Sequence, residues 1–392
     1  MSTNALHIEI GDDYRALRDP VRRICDRFPG EYWRELDDKK EYPHAFVDAL
    51  TEHEYLAALI PEEYGGSGLP LRAATVILET IHECGCNAAA CHAQMYTMGT
   101  VLRHGSDEQK QAYLPRIATG ELRLQAFGVS EPATGSDTTQ LKTMAVRDGD
   151  GYVVTGQKLW TSRAEQSDLM LLLARTTAAD EVKKRSEGLS TFLIDLREAR
   201  GNGLEIRALD TMINHNTTEI FFDRLRIPAS SLIGEEGKGF KYILGSMNAE
   251  RILLASEALG DAKWFLKKSV DYANERVVFG APIGKNQGIQ FPIARAYAET
   301  QAADLLIRKA AALFDSHEPC GAEANMAKMM ASEAAWNAAD NCFQTFGGFA
   351  FAKEYDIERK WRETRLLRTA PISTNLILAY LGQHVLGMPR SY

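Results

Sequence analysis

The sequence predicts a mainly α-helical chain with a central β domain, and three observations carry that prediction. From Asp13 to about Leu124 apolar residues recur at the spacing of one helix face. Between Gln125 and about Gly234 the period falls to two, the mark of half-buried strands. After GEEGKGF the helical spacing returns in long runs. Helices, then strands, then helices imply segregated layers, so the expected domains are 1–124 (helical), 125–234 (β) and 235–392 (a helical bundle).

In the first segment, YRALRDPVRRICDRF and AFVDALTEHEYLAALI read as helical, with the glycine-rich EEYGGSGLP as a break. Ser106 followed by Gln109 predicts a capping box that starts the helix DEQKQAYLPRIATG. In the second, MAVRDGDGYVVTGQ predicts strand, turn and strand, and LMLLLAR, STFLIDL and EIFFDRLRIP predict further strands. In the third, helices are expected over 250–279, 291–316 and 321–346, with a last one in STNLILAYLGQHVLG.

The chain has 392 residues, 45% of them apolar, which is ample for sizeable cores. Its 45 basic and 53 acidic residues leave no basic footprint for nucleic acid. No apolar stretch approaches the ~18 to 20 residues of a membrane span, and MSTNALHIEIGDDYRALRDP lacks the layout of a signal peptide. The end, GMPRSY, carries no organelle address, so a cytoplasmic location with six reduced cysteines is expected.

His82, Cys84, Cys86, Cys91 and His92 are all residue types that ligate zinc. On a helix, however, Cys84 and Cys86 point to nearly opposite sides, so small buried thiols are expected and no metal. GYVVTGQK carries Gln157 where a phosphate loop has its lysine, and GxGxxG, HExxH and GxSxG are absent. AFGVSEPATGSD differs: closely spaced small and hydroxyl residues beyond a strand-like stretch can turn several N–H and O–H groups onto an anion or heterocycle.

GVSEPATGSD, 128–137, resembles the first signature of acyl-CoA dehydrogenases, and QTFGGFAFAKEYDIERKWRE, 344–363, resembles the second. IPEEYGGSGL, GQKLWTS, IPASSLIGEEGKGF, AERILLASEALG and ERVVFGAPIGKNQ are similar to further blocks of that family, in family order and over nearly the whole chain. The resemblance implies a helical N-terminal domain, a small β-barrel-like sheet domain and a C-terminal four-helix bundle. It also implies FAD as cofactor, an acyl-CoA substrate desaturated to the enoyl-CoA, an electron-transferring flavoprotein as acceptor and a homotetramer built as a dimer of dimers. Departures are Thr134, Gln140 and Ala350 within the signatures, and DTMINHNTTEIFF, which lacks the usual Gly-x-Arg run.

By motif position, the resemblance implies that Phe127, Val129 and Ser130 line the flavin ring and that Trp160 and Ser162 cover its other side. Gly135 and Ser136 would sit where FAD and substrate cross. Arg276, Phe279 and Gln287 match residues that reach a neighbouring subunit's FAD, and Gln344, Gly347 and Gly348 those that meet its pyrophosphate and adenosine. Asn248, in place of the more usual aspartate, and Arg251 match positions on the pantetheine arm of CoA. The commonest place for the family's catalytic glutamate holds Pro371, while Ser373 and Asn375 still match flavin contacts. A minority of the family carries its glutamate on the helix before an arginine, which makes Glu250 the candidate base. The missing glutamate at 371 admits two alternatives, a flavin monooxygenase or oxidase on the same fold, and an inactive FAD- or CoA-binding subunit of a hetero-oligomer.

Overall fold

The computed structural model describes residues 14–390. The readings of the first thirteen residues and of Ser391 and Tyr392 lie outside them. In chain order the elements are α1 Arg15–Cys25, α2 Gly30–Lys39, α3 His44–Glu52, α4 Leu71–Glu83, α5 Ala89–His104 and α6 Asp107–Ala118. Then come β1 Leu124–Gly128, β2 Met144–Asp148, β3 Gly151–Ser162, β4 Leu169–Arg175, β5 Leu189–Asp195, α7 Leu196–Ala199, β6 Leu204–Ala208, β7 Thr217–Pro228 and β8 Leu232–Ile233. The rest is α8 Gly239–Glu275, β9 Val277–Val278, β10 Ala281–Pro282, α9 Gln287–Asp315, α10 Gly321–Phe346, α11 Ile357–Leu367 and α12 Thr374–Tyr380. Among the described residues no helix is long and apolar enough to cross a membrane.

Contacts divide the chain into two compact units, one of residues 14–39, 70–88 and 248–390, the other of 40–69 and 89–247. The second holds the sheet, eight strands in the order β6-β7-β3-β2-β4-β5-β8 with β1 alongside β4. The sheet is mixed: β1 runs parallel to β4, while β2-β3, β3-β7, β4-β5 and β6-β7 are antiparallel. One face of these strands packs on a single core that includes Ala126, Tyr152, Val154, Leu172, Phe192 and Phe222. Leu124, Leu169, Leu171 and Leu193 pack the opposite face onto Met98 and Val101 of α5 and Leu114 and Ile117 of α6. The continuously apolar LMLLLAR is thereby explained, because β4 is buried on both faces. The capping box is present, with Ser106 Oγ accepting from Gln109 N–H and Gln109 Oε1 accepting from Ser106 N–H.

The first unit is helical. Its buried anchor is Asp261 on α8, which accepts from His82 Nδ1 at 2.8 Å and Thr364 Oγ1 at 2.6 Å and pairs with Lys360. Since Ala88 N–H donates to His82 Nε2 at 3.1 Å, both ring nitrogens of His82 are engaged in structure. The Lys360 ammonium and His82 hold the Asp261 carboxyl well below the usual range in spite of its burial.

Several boundaries differ from the sequence reading. The α8 helix begins at Gly239, eleven residues before the expected start, and ends at Glu275. Phe279 lies beyond it in a two-residue turn between β9 and β10, where Phe279 and Gly280 both take positive φ (53° and 81°), the conformation that suits a tight hairpin. The α4 helix stops at Glu83, with Cys84 as its cap and Gly85 left-handed at φ 83°. The helical argument that set Cys84 and Cys86 on opposite sides therefore does not apply.

Candidate active site

In the sheet unit, β1 ends by delivering Phe127, Val129 and Ser130 to the loop 130–137. Phe127 is part-buried, with its ring 6.1 Å from that of Tyr96, and Val129 packs near Leu141 and Leu173. The loop is held from inside. The Glu131 carboxylate, buried, accepts the N–H of Lys142 at 2.6 Å and of Thr143 at 2.9 Å and pairs with Lys158 Nζ at 2.9 Å. Lys158 also donates to Val129 O at 3.0 Å. Burial pushes the Lys158 ammonium down to about 8, with Glu131 opposing the fall. Burial alone would raise Glu131, but Lys158 and the backbone donors carry it below the usual carboxylate range. Glu131 and Thr134 add two reciprocal backbone bonds of 3.0 Å.

Leu159 N–H donates to Ser130 O at 2.9 Å, so β3 lies beside the loop just before Trp160. The β3-β7 register shifts between Lys158 and Thr161, and Trp160 at that bulge takes φ 64°. Its indole is 60% exposed. A large aromatic in a costly backbone conformation and facing solvent is not serving the core of its own unit. Ser162, part-buried, follows at the end of β3 opposite Thr217. Gly135 and Ser136 are exposed, with no atom within 4 Å of the space a Cβ would take at Gly135.

In the helical unit Glu250 and Arg251 are both more than nine-tenths buried on α8. Arg251 Nη1 donates to Asn248 Oδ1 at 3.0 Å, so the amide that replaces an aspartate is oriented by the next-turn arginine. Burial lowers the Arg251 guanidinium from its ordinary value, and the Glu250 charge is the first of the groups that oppose this. The Pro371 segment is tied down by Lys328, fully buried on α10, whose Nζ donates to Ile372 O at 2.8 Å and Arg368 O at 3.3 Å. Ser373 caps α12 through Leu376 N–H, and Asn375 is exposed.

Six residues matched to a neighbour's cofactor are on the surface of this unit: Arg276, Phe279, Gln287, Gln344, Gly347 and Gly348. The structure brings two of their groups together, for the Arg276 guanidinium lies 5.6 Å over the ring of Phe349, next to Gly347 and Gly348. Phe279 is fully exposed. Gly347 takes φ 58°, and no atom lies within 4 Å of where a Cβ would stand on either glycine. Gln287 opens α9, after the β9-β10 hairpin.

Sequence reading missed Glu131, Lys158 and Lys328. Lys158 had a signal: it continues the inward face of Tyr152 and Val154 at period two, where a charge demands a partner. The five supposed zinc-type residues separate, with His82, Cys84 and Cys86 in the helical unit and Cys91 and His92 in the sheet unit. Among the described residues, no group of three or more His, Cys, Asp or Glu is placed to hold a metal ion.

The signature loop is thus braced by a buried ion pair and lies beside a bulged, exposed tryptophan. Family models match over almost the whole length: acyl-CoA dehydrogenase N-terminal domain at 11–121, middle domain at 126–225 and C-terminal domain at 237–375. The chain belongs to the acyl-CoA dehydrogenase family. It is 32% identical over 384 residues to acyl-CoA dehydrogenase FadE12 of Mycobacterium tuberculosis, covering 97% of this chain and 98% of that one. Among solved structures it is similar to glutaryl-coenzyme A dehydrogenase in complex with glutaryl-CoA (TM-score 0.90, 29% identity, 98% of each chain). It is similar also to a chain from work on the electron transferring flavoprotein of Acidaminococcus fermentans (TM-score 0.89, 28% identity, 97% of this chain and all of that one).

The protein is thus an FAD-dependent oxidoreductase of acyl-CoA thioesters. Its residues fit that cofactor. In the signature loop the Thr134 hydroxyl is buried with no hydrogen-bond partner among the described residues, although buried polar atoms are normally satisfied. With the open backbone at Gly135 and the exposed Trp160, this unpaired hydroxyl forms a set that would suit a flavin, offering a donor, a close approach and an aromatic surface.

Proposed function

We propose that the chain desaturates the α,β bond of an acyl-CoA, with Glu250 as the base, and passes the electrons to an electron-transferring flavoprotein. The observation that carries this reading is the burial of Glu250 beside Arg251 on α8, in a chain whose other family base position is Pro371. A carboxylate shielded from water is suited to taking a weakly acidic proton from carbon, and proline has no group to do so. When bound, FAD supplies the hydride acceptor. Phe127, Val129 and Ser130 would hold the ring system, and Trp160 and Ser162 would exclude water from it. On the α8 helix, Asn248 and Arg251 would orient the pantetheine arm so that the α proton meets a Glu250 carboxylate oxygen, and Ser136 in the signature loop would serve the substrate side of the cofactor.

The acceptor reading rests on the absence of any GxGxxG fingerprint for nicotinamide. It is supported also by similarity to the chain studied with the electron transferring flavoprotein of Acidaminococcus fermentans. Turnover is expected with an electron-transferring flavoprotein and to be negligible with NAD alone. Rapid turnover with NAD as sole acceptor refutes that assignment.

The same reading makes the active form a homotetramer in a cytoplasmic setting, with neighbouring chains sharing each FAD through Arg276, Phe279, Gln287, Gln344, Gly347 and Gly348. Its support is the set of large apolar side chains that the helical unit exposes, Val270, Phe279, Phe291, Tyr297, Phe349 and Phe351. Arg276→Ala is expected to lose FAD and loosen the assembly together. Sedimentation of a monomer still replete with FAD contradicts it.

A further inference from the structure

The β4 strand ends on Arg175, which is 3% exposed, and its guanidinium is taken up by main-chain oxygens of two loops. Nη2 donates to Thr139 O at 2.7 Å and Nε to Leu141 O at 3.3 Å, both at the end of the signature loop. Nη1 donates to Thr177 O at 3.3 Å and to Arg185 O at 3.1 Å, in the 176–188 loop that joins β4 to β5. All four acceptors are carbonyls, and among the described residues no carboxylate pairs with Arg175. Buried charges are normally paired with opposite ones, so a guanidinium set among carbonyls points to a geometric duty. Five donors in a fixed plane hold the separation and direction of two loops at once, which the point charge of a lysine does not.

The grip extends to the open backbone of the signature loop. Leu141 N–H donates to Thr138 O at 3.2 Å, and Thr138 Oγ1 donates to Gly135 O at 3.3 Å, so the turn that Arg175 holds is bonded in turn to Gly135. On the other loop the fit is close. Thr176 N–H donates to Gly188 O at 2.9 Å, and a Cβ on Gly188 would stand 2.5 Å from Thr177 O and 2.7 Å from Arg175 Nη1. Only glycine lets that loop close against the guanidinium.

We propose that Arg175 is a positioning residue for FAD, a clamp that fixes the signature loop against the 176–188 loop and so makes cofactor binding at the first depend on the second. This rests on the signature loop being the cofactor's seat. The Glu131–Lys158 pair braces the start of that loop, and Arg175 braces its end.

The test is a dilution series of the FAD-loaded protein, with released FAD read by its fluorescence. Arg175→Lys keeps the charge and loses the fork. The dissociation constant for FAD is expected to rise about tenfold or more in that variant, the factor carried by one hydrogen bond to a charged group. Gly188→Ala, which alters only the second loop and crowds Arg175 Nη1, is expected to raise it about fivefold or more. A merely structural arginine gives two independent losses, whereas the clamp requires the Gly188→Ala effect to shrink below about twofold in the Arg175→Lys background. FAD held at the parental affinity in either single variant, or losses that add in the double variant, overturns the proposal. Lys158→Met tells the two possible failures apart. It retains FAD if the signature loop is not the cofactor's seat, and it loses FAD while Arg175→Lys retains it if only the clamp is wrong.

Discussion

Glu250→Gln is expected to bind FAD and acyl-CoA as the parent does while anaerobic flavin reduction slows on the order of a hundredfold or more. Glutamine keeps the shape and the hydrogen-bonding capacity of the side chain and removes only its basicity. The effect is expected in the rate of the reductive half-reaction and not in affinity, since Asn248 and Arg251 retain their 3.0 Å bond. A purely structural Glu250 gives the opposite pattern: normal reduction rates, with any loss confined to stability as Arg251 loses a charge that opposes its desolvation. Stopped-flow reduction at saturating acyl-CoA separates the two.

The second large effect is predicted at Lys158, to which the sequence reading gave no role. Lys158→Met leaves the methionine's own chain in an apolar setting but strands the Glu131 carboxylate in a buried site. Breaking one partner out of a buried pair costs about 3 to 5 kcal/mol, because the remaining charge is uncompensated. Chemical denaturation measures that loss, and FAD is expected to wash out of the variant because Val129 O and the 131–143 loop lose their brace. The linkage has a defined sign. Glu131 is held below its unfolded value near ~4.3, so the stability it contributes is present above that pH and drains away as the pH falls through its folded value. Lys158 falls to about 8 against an unfolded value of about 10.4. Between those values the unfolded chain binds more protons, and on this residue's account stability rises with pH through that window. Unchanged stability and FAD retention in Lys158→Met contradict the brace.

Periodicity located most of the fold because burial in this chain follows it closely. The strands β3, β4, β5 and β7 fall where period-two or continuous apolar runs stand, and the Ser106 box needs only local chemistry. The misses have physical causes. The first turns of α8 show no clean apolar stripe, since Lys241, Leu244 and Gly245 are exposed and Ser246 is buried. The end of α4 was hidden because Gly85 acts through Trp264, nearly 180 residues on, and tertiary clashes leave no local pattern. The α3 helix stops at Glu52, with His53 as its cap, because Glu54 turns left-handed at φ 61°, a conformation that nothing in AFVDALTEHEYLAALI announces. At the candidate site, the signature residues were readable by resemblance, but the groups that hold them were not. Glu131 and Lys158 pair across 27 positions, and Lys328 reaches Ile372 across 44, contacts that only the folded chain defines.

The most direct test of the central claim is anaerobic mixing of the FAD-loaded protein with a panel of acyl-CoA thioesters of varied chain length, branching and polarity. Flavin bleaching and product mass are followed together. At least one thioester is expected to bleach the flavin and to emerge two hydrogens lighter as the enoyl-CoA, with the reduced enzyme slow toward oxygen. A flavin that no acyl-CoA reduces, or a product that has gained oxygen on re-aeration, contradicts an acyl-CoA dehydrogenase working through Glu250.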